Sequence, residues 1–340
     1  MQLKVPIILG CDCDPDRLSF NRYANTSTLN WDGIKYGISE FNNARKAIFD
    51  QTGIFFKMTW FVRSDLEILK KCGSYSYCFR EFQEIWENQI QAGDEIAWHP
   101  HFWNVLNNVW YQETTDVDFQ IQMLDAAYQE ISQIEYVDLQ GTHSGWCYQN
   151  GSTLRTLNDF GMKYDCSALP GNNTLGFGTV DQSDWVNAPL LPYNPDFVDH
   201  TANAGKKLNK KRIIEIPATV VHSTKAQLVR SVNEVIKRRA FEANIVKRFQ
   251  FSYPQLCLNQ SLTGDLFAKS VSDLQLGENP YLFFYGHADE FLDKGCKKII
   301  KNMTYGKNYM IQNLLSITQK AKACGLELRP STMSEQWSKI

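Results

Sequence analysis

Short apolar runs of strand type alternate along this chain with stretches of helical spacing. Strand-like runs fall at 5–11, 54–62, 95–99, 136–141, 213–218, 281–286 and 326–328, and helical spacing at 38–49, 79–91, 116–134, 150–160, 225–249 and 305–324. Gly53 and Gly93 stand where helix-terminating glycines belong. Strands alternating with helices at this spacing predict βαβ units and a parallel sheet or barrel. Two stretches break the rhythm. Residues 21–37 read as a long polar loop, and from 167 to about 212 Pro170, Gly171, Gly176, Gly178, Pro189, Pro192 and Pro195 punctuate a segment too long for an ordinary connection. With no internal repeat and no shift in composition, the expectation is one α/β domain over 1–340, with a loop insertion at about 167–212.

The ends of the predicted strands carry the chemistry. The first delivers Asp12-Cys13-Asp14-Pro15-Asp16, the third His99-Pro100-His101, the fourth Thr142-His143, and a late one His287. Side chains on an extended backbone alternate faces, so His99 and His101 point the same way. Pro100 donates no ladder hydrogen bond, so pairing stops there. A bare H-x-H leaves two readings open: a shared metal ion, or imidazoles packed among Trp98, Phe102 and Trp103. The aspartates are also ambiguous. Their alternate spacing matches the start of a calcium loop, but Arg17 and Tyr23 stand where a turn glycine and a bidentate glutamate belong. A D-x-D also serves cation-dependent nucleotide-sugar transferases, and acidic residues also simply cap strand ends. Four strand C-termini offering carboxylates and imidazoles make a stronger signal than any one motif, because that edge is where parallel α/β folds build active sites. One carboxylate and two imidazoles suit Zn²⁺, Fe²⁺, Co²⁺ or Ni²⁺.

Composition narrows the classes. The 340 residues are 43% hydrophobic and 21% charged with a net charge of −2, which points to neither nucleic acid nor a membrane surface. No apolar run approaches the roughly 18 residues of a membrane span. The first residues lack the features of a signal peptide. Nine cysteines form no C-x-x-C pair, and an odd, scattered set fits reduced thiols, so the expected location is cytoplasmic.

The motifs resemble those of the polysaccharide deacetylase superfamily, the NodB-homology or carbohydrate esterase family 4-like metalloenzymes. Gly10-Cys11-Asp12-Cys13-Asp14 is similar to a D-x-D form of the family's T-F-D-D-G. Gly53 to Val62 is similar to G-I-K-A-T-F-F-V, and Gly93-Asp94-Glu95-Ile96-Ala97-Trp98-His99 to G-H-E-I-G-x-H. Thr153 to Ser167 resembles T-L-x-L-L-x-x-L-G-Y-x-Y-D-x-S, and Tyr281 to His287 the family's fifth motif. The matches run in family order from residue 5 to about 290. The chain departs in two places. Trp103 occupies the position of the usual second metal histidine, leaving His101 as its substitute, and Thr142-His143-Ser144-Gly145-Trp146 replaces R-x-P-Y, so the arginine that orients the catalytic aspartate is missing and His143 is its candidate replacement.

The resemblance implies a distorted (β/α)7-type barrel and a divalent metal, zinc first, held by Asp14, His99 and His101. It makes Asp12 the general base, with the assignment between Asp12 and Asp14 open, and His287 the acid that protonates the leaving amine. The implied reaction is hydrolysis of an N-acetyl or N-formyl group from an amino sugar in a glycan or glycan precursor. Phosphate- or nucleotide-linked forms fit the basic runs at 206–212 and 237–239, although solvated surface is the simpler account of those runs. A catalytically inactive glycan-binding relative and a metal-dependent glycosyltransferase are the alternatives. Trp146 and Tyr193 are the expected sugar platforms, His200 and His222 are expected to be structural, and Asp289-Glu290 are expected to hydrogen-bond His287.

Overall fold

In the computed structural model the described residues are 3–16, 28–171, 184–205, 207–220, 258, 281–292 and 306–340. The helix expected at 225–249, His222 and the basic run at 237–239 lie outside them.

The sheet is organised around β1 (Leu3–Cys13), an 11-residue strand with three parallel partners. Leu3–Ile8 pairs with β10 (Leu326–Ser331), Leu9–Cys13 with β2 (Met58–Arg63), and Ile7–Asp12 with β9 (Leu282–His287). Beyond β2 the order continues through β3 (Glu95–His99), β6 (Gly141–Thr142), β7 (Tyr164–Asp165) and β8 (Ile214–Glu215), every pairing parallel. The sheet curls into a half-barrel with helices, the distorted (β/α)7 architecture implied by the motifs.

Alternation along the strands sorts the side chains onto two faces. Ile7, Leu9 and Cys11 of β1, Met58, Trp60 and Val62 of β2, Ile96 and Trp98 of β3, and Leu282 and Phe284 of β9 pack with the helices. The helical contribution includes Phe41 and Ile48 of α1 (Ile38–Thr52), Leu124 of α5 (Val117–Ile131), Leu154 of α6 (Gly151–Asp159) and Leu314 of α7 (Lys307–Ala323). Ile8, Phe61, Ala97, Tyr164, Ile214 and Phe283 point the other way and form a second apolar cluster inside the barrel. Near the strand N-termini α8 (Met333–Lys339) closes this interior. Its Ser334 N–H donates to Glu95 Oε2 at 3.0 Å, and Tyr164 Oη donates to Glu95 Oε1 at 2.9 Å.

Several elements differ from the sequence expectation. The helix expected at 79–91 is two, α3 (Tyr77–Glu81) and α4 (Gln83–Gln91), because Phe82 leaves helical geometry at φ −110°. A further helix, α2 (Leu66–Cys72), starts at Asp65, whose side chain caps it by accepting from Glu67 N and Ile68 N. The strand expected at 136–141 is only the two residues of β6. A hairpin, β4 (Trp103–Leu106) and β5 (Val109–Gln112), follows directly on His101. Its turn residues Asn107 and Asn108 have φ of 51° and 62°, the geometry that favours asparagine. Part of the expected polar loop, Gly33–Gly37, is a π-helical turn running into α1. In the described part of 167–212 there is no helix or strand, only turns and isolated bridges. Cys11 and Cys13 are buried free thiols. No helix among the described residues is long and apolar enough to cross a membrane.

Candidate metal and catalytic site

Strand register assembles the site. Two residues beyond the interior positions Phe61 and Ala97 come Arg63 and His99, and four beyond Ile8 and Phe283 come Asp12 and His287. All four therefore belong to the interior face at its C-terminal end. Asp12 is the register partner of His287, and Arg63 that of His99. Asp14 and His101 follow just past the ends of β1 and β3, and His143 follows β6, where its N–H donates to the Trp98 carbonyl. All six predicted site residues thus meet at one place, and all but His287 are buried.

Two carboxylates divide the imidazoles between them. Asp14 Oδ1 lies 3.3 Å from His101 Nε2 and 3.8 Å from His99 Nε2, and those two nitrogens are 3.1 Å apart. Asp12 Oδ1 lies 2.8 Å from His143 Nδ1 and 3.7 Å from His99 Nδ1. His287 Nε2 faces both carboxylates, 3.7 Å from Asp12 Oδ2 and 3.9 Å from Asp14 Oδ2. Glu290 reaches back to His287: its carboxylate accepts from the His287 backbone N–H at 3.1 Å and approaches Nδ1 to 3.4 Å, and its own N–H donates to the His287 side chain.

Two trios have metal-ligand spacing: Asp14, His99 and His101, and Asp12, His99 and His143. Hydrogen bonding separates them. His99 Nδ1 donates to the His143 carbonyl oxygen, which fixes the tautomer and leaves the Nε2 lone pair facing Asp14 and His101. The second trio uses the Nδ1 side of His99, which is already committed. The Asp14–His99–His101 donor set fits a divalent transition metal: one carboxylate and two imidazoles converging from one side.

The electrostatics follow from burial against local charge. Burial opposes the Asp12 carboxylate, but His143 and His99 outweigh it and hold its pKa at about 2. Asp14 is likewise held well below the carboxylate range, against burial, by His101, His99 and Arg63. Burial lowers His99 to about 4 despite both aspartates, so it stays neutral, the protonation state of a ligand. Asp12 raises His143 well above the usual histidine value although burial opposes it. Asp12 and His143 thus form an ion pair.

Three neighbours escaped the sequence reading. Arg63 reaches Asp14 Oδ1 with Nη1 at 3.2 Å; the alternation of β2, with Phe61 inward, marks its position. Gly145 packs so closely on His101 that a Cβ there would overlap the face of the imidazole ring. Cys147 Sγ lies 3.8 Å from His143 Nε2, in a turn where Trp146 and Cys147 take φ of 58° and 55° and where Trp185 Nε1 donates to the Cys147 carbonyl. Asp16, in line with the other aspartates, is structural: it accepts from Gly33 N at 2.8 Å and from Asn30 Nδ2 at 3.1 Å.

Among the aromatics, Trp103 stacks parallel on His101 at 5.8 Å, and half-buried Trp146 meets Trp103 edge-on at 6.5 Å. Tyr193, expected as a sugar platform, is fully buried, with its hydroxyl on the His200 carbonyl. It is therefore a packing residue. His200 packs edge-on against Trp185. In the basic run at 206–212, Lys210 and Arg212 bind the Ser338 and Pro195 carbonyls.

No family model matches the sequence, and no curated protein matches it. Solved structures do match in fold. A protein from Parabacteroides distasonis provisionally assigned as a glycoside hydrolase/deacetylase superposes with a TM-score of 0.58 at 12% identity, over 99% of this chain and 71% of its own. A provisionally assigned polysaccharide deacetylase from Mycobacterium smegmatis superposes with a TM-score of 0.51 at 14% identity, over 100% of this chain and 90% of its own. The chain carries the fold of the polysaccharide deacetylases, the superfamily that its motifs resemble.

Proposed function

We propose that the protein is a metal-dependent hydrolase that removes an N-acyl group, acetyl or formyl, from an amino sugar in a glycan or glycan precursor. One observation carries this reading: Asp14, His99 and His101 form a trio of metal-ligand spacing, and Asp12 and His287 stand directly beside it, 3.7 Å from each other. Asp14, His99 and His101 hold the metal, and zinc suits that donor set. The ion supplies a lowered pKa for water in its shell and polarisation of the acyl oxygen. Asp12, ionised and oriented by His143, takes the proton of the attacking water. His287, beside both aspartates and held by Glu290, gives a proton to the departing amine. In this assignment Asp14 is the ligand because its Oδ1 faces the two Nε2 atoms, and Asp12 is the base because its Oδ1 is tied to His143. Trp146 at the mouth offers an apolar face to a sugar ring.

The test is metal content after purification without chelator, beside His99→Ala and His101→Ala, followed by hydrolysis of N-acetyl and N-formyl amino sugars. About one equivalent of transition metal, lost in both variants, with hydrolysis abolished in Asp12→Asn while sugar binding persists, is the expected outcome. Sugar binding without metal or hydrolysis would establish an inactive glycan-binding relative instead. A glycosyltransferase using the D-x-D requires an aspartate pair open to a nucleotide, whereas Asp12 and Asp14 are 4% and 8% exposed and already face histidines.

A further inference from the structure

The proposed ligand Asp14 lies one residue past the end of β1, where no ladder hydrogen bond fixes it. What fixes it is a buried arginine that the proposed chemistry does not use. Arg63, 4% exposed, ends β2 and directs three nitrogens at three different carboxylates. Nη1 is 3.2 Å from Asp14 Oδ1, Nε is 2.6 Å from Asp65 Oδ2, and Nη2 is 2.6 Å from Glu67 Oε2. Asp65 is itself tied down, because its other oxygen caps α2, at 2.8 Å from Glu67 N and 3.3 Å from Ile68 N. Glu67 has Lys71 Nζ 3.6 Å from its second oxygen. The guanidinium is therefore a rigid strut from the first turn of α2 to Asp14. A planar fork has this geometry and an ammonium does not.

Asp14 Oδ1 is also the oxygen nearest both His99 Nε2 and His101 Nε2. A carboxylate oxygen has two lone pairs, so Oδ1 accepts from Arg63 on one side while presenting the other to the space between the imidazoles. We propose that Arg63 is a positioning residue for the metal site, setting the direction of Asp14 Oδ1 through the Asp65–Glu67 anchor. This differs from the arginine missing after β6: Arg63 comes from another strand and acts on the other aspartate. The inference rests on the reading of Asp14 as a ligand.

Co²⁺ binding followed by visible absorption tests it, because the ligand-field spectrum reports ligand geometry independently of catalysis. The proteins compared are wild type, Arg63→Gln, Arg63→Lys and Glu67→Gln, each first checked by circular dichroism and thermal melting without metal. Misplaced partners of metal ligands typically weaken affinity 10–100-fold. Arg63→Gln is expected to lose roughly that factor and to change the spectrum, Arg63→Lys to recover part of the affinity, and Glu67→Gln to show a smaller loss of the same kind. An Arg63→Gln protein that folds and binds Co²⁺ as tightly as wild type, or more tightly, with the same spectrum overturns the inference and leaves the metal site standing. Should Arg63→Gln not fold, Arg63→Lys decides by the same criteria. A wild-type protein that takes up no Co²⁺ refutes the metal site itself, and this inference with it.

Discussion

His143 Nδ1 lies 2.8 Å from Asp12 Oδ1, while the backbone carbonyl of the same histidine accepts from His99 Nδ1. One residue thus orients the proposed base with its side chain and a proposed ligand with its main chain. The two functions are separable, because substitution removes only the side chain.

Replacing His143 by alanine is therefore expected to lower kcat/KM on an N-acyl amino sugar by roughly 10²–10³, within the range for a positioned acid–base pair. Metal affinity is expected to stay within a few-fold of wild type, since the carbonyl remains. His143→Asn, whose amide nitrogen occupies roughly the place of Nδ1, recovers part of the rate. Steady-state kinetics together with metal titration check both halves; equal loss of metal and of rate contradicts the separation.

Gly145 offers a steric probe of His101. Its N–H donates to the Pro100 carbonyl at 2.8 Å, so this backbone cannot retreat freely. A methyl group in Gly145→Ala pushes the imidazole off its position over Trp103. The expected result is a roughly 10–100-fold weaker metal affinity with the sheet intact, read by calorimetry and circular dichroism.

Acid stability of the metal-free protein has a defined window. His99 is lowered from 6.5 to about 4 in the folded state, so between those values the unfolded chain takes a proton that the folded chain refuses. Stability consequently falls as pH drops from about 6.5 to 4, by up to roughly 3 kcal/mol. Asp12, lowered from 3.8 to about 2, adds its own loss only below that window. The raised His143 contributes fully throughout it and loses its contribution only on the alkaline side. Denaturant melts of chelated protein across this range check the slope, and His99→Gln is expected to flatten it.

Away from the site, Arg45 and Asp94 form a buried pair in which Arg45 Nη1 is 2.8 Å from both carboxylate oxygens. Asp94 also accepts from Met58 N and Trp60 Nε1 at 3.0 Å. Asp94→Ala leaves a buried cation and two unpaired donors, so a loss of roughly 3–5 kcal/mol is expected. Thermal and denaturant unfolding measure it. Arg45→Met together with Asp94→Leu is expected to cost less than Asp94→Ala alone, because neither charge is stranded.

Much of this arrangement was legible from strand periodicity. Asp12, His99 and His287 are readable because each ends an apolar run, and His101 because it lies two residues from His99. Arg63 obeys the same count but was hidden: a single arginine after Met58-Thr59-Trp60-Phe61-Val62 looks like the solvated end of a strand. The alternation of β2 puts it on the interior face, and the three carboxylates brought in by α2 and the aspartate loop are what let a cation stay there. Tyr193 failed in the opposite direction, since a tyrosine among prolines reads as surface until its burial is seen. The β4–β5 hairpin was missed because its strands are four residues each and continue a tryptophan-rich run without a glycine turn.

The three-way pairing of β1 sets a condition on how this protein is made. Residues 3–13 are synthesised well before two of their three partners, β9 and β10, which lie at 282–287 and 326–331. Contacts so distant along the chain form slowly, and until they form Leu3–Ile8 is unpaired on both sides and Leu9–Cys13 on one, a hazard for association. During translation the segment bearing Asp12 must therefore wait until residues as far along as Ser331 have left the ribosome. Its dependence on chaperones, and any aggregation on overexpression, are expected to originate at this strand.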